Sequence, residues 1–242
     1  MRALALALAL LAIVATGAAP QAAAQAAAQG PAAARPAAPA RAATSTPIPA
    51  KWQAGRHYRL LNPSVPTNVA PGKVEVVEVF WYGCGACYML DPYLESWKKT
   101  KPAAAELVRL PVTWNDGAKR HAKLFYALQA LKQDGRLHTK IFDTIHRGGN
   151  GLIARDDAGT LALQRDWAKA NGVDPTAFTS AWNSMSVDVK LRQAEDLVRR
   201  YRVEGTPAMI INGKYFTDVT SAGGVPQMLE LINALVASET RR

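Results

Sequence analysis

Cys84 and Cys87 are the only cysteines in the chain, and two residues separate them. Cysteines at this spacing can ligate zinc, form a structural disulfide or act as a redox pair. Structural zinc needs four ligands, usually with a second Cys or His pair, and the four histidines have no such paired spacing. A disulfide that closes so short a loop restricts the unfolded chain very little. The spacing therefore favours a redox pair.

The flanking sequence predicts that Cys84 lies where a buried strand ends and a helix begins. Residues 73–82 have β-branched and aromatic side chains on both faces of a two-residue period, as in a central strand. A helix from Ala86 onward is indicated by large apolar residues at four-residue spacing, namely Met89, Tyr93 and Trp97. Because a helix N-terminus stabilises a thiolate, we expect Cys84 to be the nucleophile and the more shielded Cys87 to resolve the mixed disulfide.

Glu78 is a further candidate, since it lies six residues before Cys84 within the apolar strand. A buried carboxylate is costly and tends to have a raised pKa. The alternative is a paired or edge glutamate without a chemical role. Glu75, nearer the start of the strand, is expected only to be solvated.

Periodic patterns elsewhere predict an α/β fold. Residues 57–61 and 107–112 are predicted strands, and the order strand, helix, strand around Cys84 indicates a right-handed parallel crossover unit. A helical insertion is expected at about residues 115–202, because this stretch carries five segments with helical signals.

Individual residues predict where the later elements begin and end. Asp157 is expected to cap the third helix of the insertion, and Asp174-Pro175 provides an N-cap and a first-position proline for the fourth. Asn212-Gly213 lies between two apolar runs, which is the strongest short-range signal for a β-hairpin. A closing helix follows, with an apolar face formed by Met228, Leu231, Ile232 and Leu235.

The first fifty residues differ in composition from the rest. Met1-Arg2, an apolar run and then small residues predict a secretory signal peptide over residues 1–19, with a membrane anchor as the alternative. Residues 20–50 are rich in alanine, glutamine and proline, and we expect a disordered linker there. Residues 51–242 are expected to form the folded domain.

The formal net charge of the chain is +10. Lysine and arginine are scattered along it, and no arginine-rich block alternates with aromatic residues. The pattern favours a solvated basic surface over a nucleic acid-binding one.

Residues 83–92 resemble the active-site helix of the thioredoxin superfamily, including a proline five residues after the second cysteine. Gly205-Thr206-Pro207 resembles the superfamily's cis-proline loop, in which the residue before proline pairs its backbone with substrate. An ordinary proline at a strand entry is the alternative for Pro207. The helical insertion and residues 55–61 narrow the resemblance to the DsbA family of periplasmic dithiol oxidases.

The resemblance implies a thioredoxin-like fold with the helical insertion between the βαβ unit and the C-terminal hairpin and helix. It implies catalysis by Cys84 and Cys87, with support from Thr206, Pro207 and Glu78, which would assist proton movement at the deeper sulfur. The substrates would be newly exported proteins, and a quinone-linked membrane partner similar to DsbB would restore the disulfide. We expect a periplasmic monomer without cofactor, metal or nucleic acid.

Two other functions remain open, a disulfide reductase or isomerase and a non-enzymatic binding module. Ala86 departs from the family pattern, since many DsbA-type enzymes have histidine there. Without that histidine, we expect Cys84 to be less acidic and the disulfide less oxidising. We also expect partners to bind a shallow apolar groove around Cys84 and the Thr206-Pro207 loop, with Trp81 and Tyr82 either in the groove or in the core.

Overall fold

A computed structural model describes residues 46–240 of the chain. The strands are β1 (Arg59–Leu60), β2 (Val74–Phe80), β3 (Ala105–Pro111), β4 (Ala208–Ile211) and β5 (Tyr215–Thr217). The helices are α1 (Gly85–Thr100), α2 (Asp116–Ala130), α3 (Asp134–His146), α4 (Asp157–Ala170), α5 (Pro175–Trp182), α6 (Met185–Arg200), α7 (Val219–Ala222) and α8 (Val225–Glu239). The predicted signal peptide and residues 20–45 of the predicted linker lie outside the described residues.

The five strands form one sheet in the order β1-β5-β4-β2-β3. Strand β2 pairs in parallel with β3 and antiparallel with β4, and β5 and then β1 continue the sheet beyond β4. Every residue of β2 is buried, as its apolar pattern predicts. The prediction that Glu75 is only solvated is wrong. This central strand buries it, and its carboxylate accepts a hydrogen bond from the Asn68 backbone N–H at 3.1 Å.

Alternate residues of β2 belong to two different cores. Val74 and Val76 pack in one core with apolar residues of α1 and α8. Val77 and Val79 pack in the other core with residues of the insertion helices. Ile48, near the start of the described chain, packs against the first of these cores.

The predicted insertion consists of α2 to α6, between β3 and β4. Asp174 caps α5 and Pro175 is its first residue, as predicted. Asp157, in contrast, is the first residue of α4, and it is Asp156 whose side chain accepts the Gly159 backbone N–H at 2.7 Å. Two adjacent aspartates precede this helix, and composition alone does not distinguish which one has the extended backbone of a cap.

The predicted hairpin is present, with a turn in which Asn212 (φ 52°) and Gly213 (φ 60°) both have left-handed backbone conformations. A Cβ at Gly213 would lie 1.8 Å from the Val65 carbonyl oxygen, so only glycine fits this close approach. The closing helix α8 buries its predicted apolar face. Among residues 46–240, no helix has both the length and the hydropathy needed to cross a bilayer.

Candidate active site

Cys84 is the N-cap residue of α1, directly after the turn that follows β2. Its backbone N–H donates to the Trp81 carbonyl at 2.9 Å, which closes this turn. A Cβ at Gly83 would lie 2.5 Å from the Trp81 ring, so the indole needs glycine beneath it. Cys84 is partly exposed, whereas Cys87 is completely buried one turn along the helix. The predicted strand-to-helix position of the pair is confirmed.

The pKa values of the two thiols are shifted in opposite directions. The pKa of Cys84 is lowered to about 5, mainly by a hydrogen bond from Cys87. Hydrogen bonds from the Thr206 side chain and from the first-turn N–H groups of α1 lower it further, whereas burial acts in the opposite direction. The hydrogen bond with Cys84 and then burial raise the pKa of Cys87 well above its ordinary value. Cys84 is therefore the sulfur that is both accessible and readily ionised.

The Thr206-Pro207 loop faces Cys84 across the start of α1. The peptide bond between Thr206 and Pro207 is cis. The Cys84 thiol donates to the Thr206 carbonyl oxygen at a distance of 3.4 Å. The two segments that resemble thioredoxin motifs thus meet at this point, although the whole helical insertion separates them in sequence.

A groove of about 900 Å³ lies beside Cys84, between α1 and the Thr206-Pro207 loop. Met89 and Tyr93 form part of its wall and are 67% and 51% exposed. The helical spacing of these residues was recognised in the sequence, but it does not reveal that they point away from the core. Tyr82 is core, and Trp81 is half-buried against the core rather than lining the groove.

Glu78 is fully buried and forms an ion pair with Arg109, with 3.0 Å between its Oε2 and Nε of the arginine. Arg109 also binds Asp91 and Glu95 of α1. Burial raises the pKa of Glu78, and the charge of Arg109 opposes this shift. Within residues 46–240, Oε1 of Glu78 has no hydrogen-bond partner.

Sequence reasoning did not find Arg109. A cation within the apolar stretch that forms β3 was the available signal, but assigning its partner needs the register of β2 and β3, which places Arg109 directly opposite Glu78. The structure thus brings Cys84, Cys87, Thr206 and Pro207 together, and it places Glu78 in a separate charged cluster under α1.

No group of three or more His, Cys, Asp or Glu side chains suited to a metal ion occurs in the part of the chain that the structure describes.

Comparison with known proteins identifies the family. The model of the DSBA-like thioredoxin domain matches residues 100–232, more than half of the chain. This range begins after both cysteines, so the match does not itself bear on them.

Relatives that match over most of their own length extend the similarity. The chain is 34% identical to the thiol:disulfide interchange protein DsbA of Pseudomonas syringae pv. tomato, over 77% of this chain and 84% of that protein. It is 35% identical to the thiol:disulfide interchange protein DsbA of Azotobacter vinelandii, over 79% and 86% of the two chains. The crystal structure of Pseudomonas aeruginosa DsbA matches with a TM-score of 0.72 at 34% identity, covering 78% and 95%. The chain therefore belongs to the family of DsbA-like thioredoxin domains, and it is a thiol:disulfide oxidoreductase.

Proposed function

We propose that this protein oxidises pairs of thiols in other proteins, with Cys84 as the reacting cysteine and Cys87 as the resolving one. The observation that carries the proposal is the asymmetry of the pair. Cys84 is accessible beside a groove and has a pKa of about 5, whereas Cys87 is buried and has a raised pKa. An asymmetric pair assigns the order of the exchange steps.

In the first step, a partner thiolate attacks Sγ of Cys84 in the oxidised protein. A bond forms between the partner and Cys84, the Cys84–Cys87 bond breaks, and the Cys87 thiolate takes up a proton because of its high pKa. In the second step, a second thiolate of the same partner protein attacks the partner sulfur that is bonded to Cys84 in the mixed disulfide. The partner leaves oxidised by two electrons, and Cys84 leaves as a thiolate, for which a low pKa makes it a good leaving group.

Glu78 is the proposed source of the proton that Cys87 takes up. Its raised pKa and its unpartnered oxygen support this role, and the ion pair with Arg109 supports the alternative of a purely structural acid. A water molecule would have to carry the proton, because the Glu78 carboxylate bonds to Arg109 rather than to either sulfur.

Partner binding is proposed at the groove and at the Thr206-Pro207 loop. Exposed apolar residues on a soluble domain often mark a binding surface, and Met89 and Tyr93 provide them next to Cys84. We infer that the substrates are newly exported, unfolded proteins with free cysteines in the periplasm. Reoxidation by a membrane oxidase similar to DsbB would complete the cycle, and the protein would act as a monomer.

The decisive experiment measures the reduction potential of the pair and the oxidation of a dithiol peptide by wild type, Cys84→Ser and Cys87→Ala. We expect Cys84→Ser and Cys87→Ala to lose oxidase activity completely, because neither variant can form the internal disulfide. When reduced Cys87→Ala is mixed with a disulfide-bonded peptide instead, the Cys84 thiolate should attack that disulfide, and the mixed disulfide should accumulate because the thiol that would resolve it is absent. Unchanged oxidation by Cys84→Ser would refute the proposal. A potential near that of thioredoxin, about −270 mV, would favour the reductase or isomerase alternative over oxidation.

A further inference from the structure

Three histidines of the helical insertion contact the two residues at the start of the active-site turn. Trp81 Nε1–H donates to Nδ1 of His121 at 3.1 Å, and the Tyr82 hydroxyl bonds to Nδ1 of His138 at 2.9 Å. Nε2 of His146 donates to the Tyr82 carbonyl oxygen at 2.8 Å. The insertion therefore contacts this turn through side chains from both α2 and α3.

His146, the last residue of α3, differs from the other two because it also contacts the cysteine-bearing helix. Its ring stacks on that of Tyr88, with 4.8 Å between the centroids and 9° between the planes. Tyr88 directly follows Cys87, and its hydroxyl donates to Asp143 of α3 at 3.1 Å. One imidazole thus contacts both Tyr82, two residues before Cys84, and Tyr88, one residue after Cys87.

The contact with Tyr82 acts at the centre of the turn. The turn runs from Trp81 to Cys84 and is closed by the hydrogen bond between the Cys84 N–H and the Trp81 carbonyl. The Tyr82 carbonyl belongs to the middle peptide, so the orientation of that peptide determines how Gly83 leads into the first turn of α1. A carbonyl partner at Nε2 also fixes which ring nitrogen of His146 carries the proton.

We propose that His146 is a positioning residue that stabilises the dithiol form of the Cys84–Cys87 pair and so makes the protein a stronger oxidant. The inference rests on the proposed function, because it requires this pair to be the redox centre. Both cysteines are free thiols in the structure, so the His146 contacts described above are those of the reduced form. In the oxidised form the disulfide itself restricts motion at the start of α1, so the His146 contacts contribute less additional stability to that form.

The groups around His146 fit this positioning role. Tyr88 provides the stacked ring, Phe142 packs at 6.0 Å between ring centroids, and Asp143 holds the Tyr88 hydroxyl. Arg147, the following residue, faces Asp143 at 3.7 Å. Burial lowers the pKa of the neighbouring His121 to about 4, so its imidazole is neutral at pH 7.

The test measures the equilibrium between the cysteine pair and glutathione in the wild type and in variants of His146. We expect His146→Ala to make the pair about three- to tenfold less oxidising, because the redox equilibrium reports only the part of the hydrogen-bond and aromatic stabilisation that the reduced form loses and the oxidised form does not. His146→Gln, which can still donate to the Tyr82 carbonyl, and His146→Phe, which keeps the stack, should each recover part of the loss. His57→Ala is the matched control, since His57 contacts Trp52 and Gln53 instead, and it should leave the equilibrium unchanged.

Unfolding of both redox forms separates positioning from a general loss of stability. A purely structural role would destabilise the oxidised and reduced forms of His146→Ala equally, whereas the proposal expects a larger loss in the reduced form. An equilibrium constant of His146→Ala with glutathione within twofold of the wild-type value would overturn the inference while leaving the proposed function intact. A wild type that forms no disulfide with glutathione would instead refute the proposed function.

Discussion

Helix α1 has one face against the sheet and α8, and another face that is open to the groove. The inner face buries Cys87, Leu90 and Leu94, and it brings Asp91 to the charged cluster around Arg109. The outer face exposes Met89 and Tyr93 beside the Thr206-Pro207 loop. The difference separates two tasks within one helix, since the inner face fixes the position of the cysteines and the outer face is available to bind a partner.

The largest effect is expected from a substitution in the charged cluster against the inner face of α1. Arg109→Met would leave Glu78 buried without its cation, and we expect the free energy of unfolding to fall by about 3–5 kcal/mol at neutral pH. Urea unfolding monitored by circular dichroism measures this loss. Lys98→Met is the matched control, because Lys98 pairs with Glu95 near the surface of α1. This substitution should lower the free energy of unfolding by at most about 1 kcal/mol. Equal losses in the two variants would contradict the distinction between the faces.

At the outer face we expect a smaller effect, seen in kcat/KM rather than in stability. Met89→Ala should lower kcat/KM for oxidation of a protein substrate about three- to tenfold, because apolar contact area is lost from the groove. The free energy of unfolding should change by no more than about 0.5 kcal/mol. Met185 on α6 provides a control that is even more accessible, at 80% exposure, but does not line the groove. A similar loss of activity in Met185→Ala would remove the groove from the proposal.

A further prediction concerns the ionisation of Cys84, at the point where the two faces begin. Its pKa in the folded protein is about 5, lowered from an ordinary value of 9.0, so the thiolate stabilises the reduced fold. That contribution is fully present above pH 9 and is lost as the pH falls through about 5. The unfolding free energy of the reduced wild type, minus that of Cys84→Ser, should therefore increase as the pH is raised from about 5 to 9.

Ultraviolet absorbance of the Cys84 thiolate checks the same shift directly. A midpoint near 5 would agree with the absence of histidine at position 86, whereas a value near the 3.5 or so found for DsbA would contradict that explanation. A pH-independent stability difference would show that Cys84 is not an acidic thiol.

The sequence predicted the parts of the site that depend on local patterns. The Cys84–Cys87 spacing, the buried strand before it and the Asn212-Gly213 turn are each determined within a few residues, and all were found. Thr206-Pro207 was found through its resemblance to a known loop. These signals need no knowledge of how distant segments pack.

The remaining features depend on tertiary packing. Arg109 could be assigned to Glu78 only after the register of β2 and β3 was known. The exposure of Met89 and Tyr93 depends on which face of α1 meets the sheet, and the four-residue spacing that indicates the helix does not determine this. The contacts of His146 with Tyr82 and Tyr88 arise because α3 returns from the insertion to the active-site turn, which no spacing within the sequence indicates.

The position of the insertion within the sheet also has a kinetic consequence. Strands β2 and β3 are joined by α1 alone, whereas the pairing of Val79 with Ala208 connects strands on either side of all the insertion helices. Contacts between segments so far apart in sequence have a large entropic cost of loop closure and tend to form late in folding. We expect the segment with Cys84 to be ordered while the loop with Thr206 is still distant. Before folding is complete, the two cysteines would then be open to small oxidants while the protein cannot yet bind a substrate.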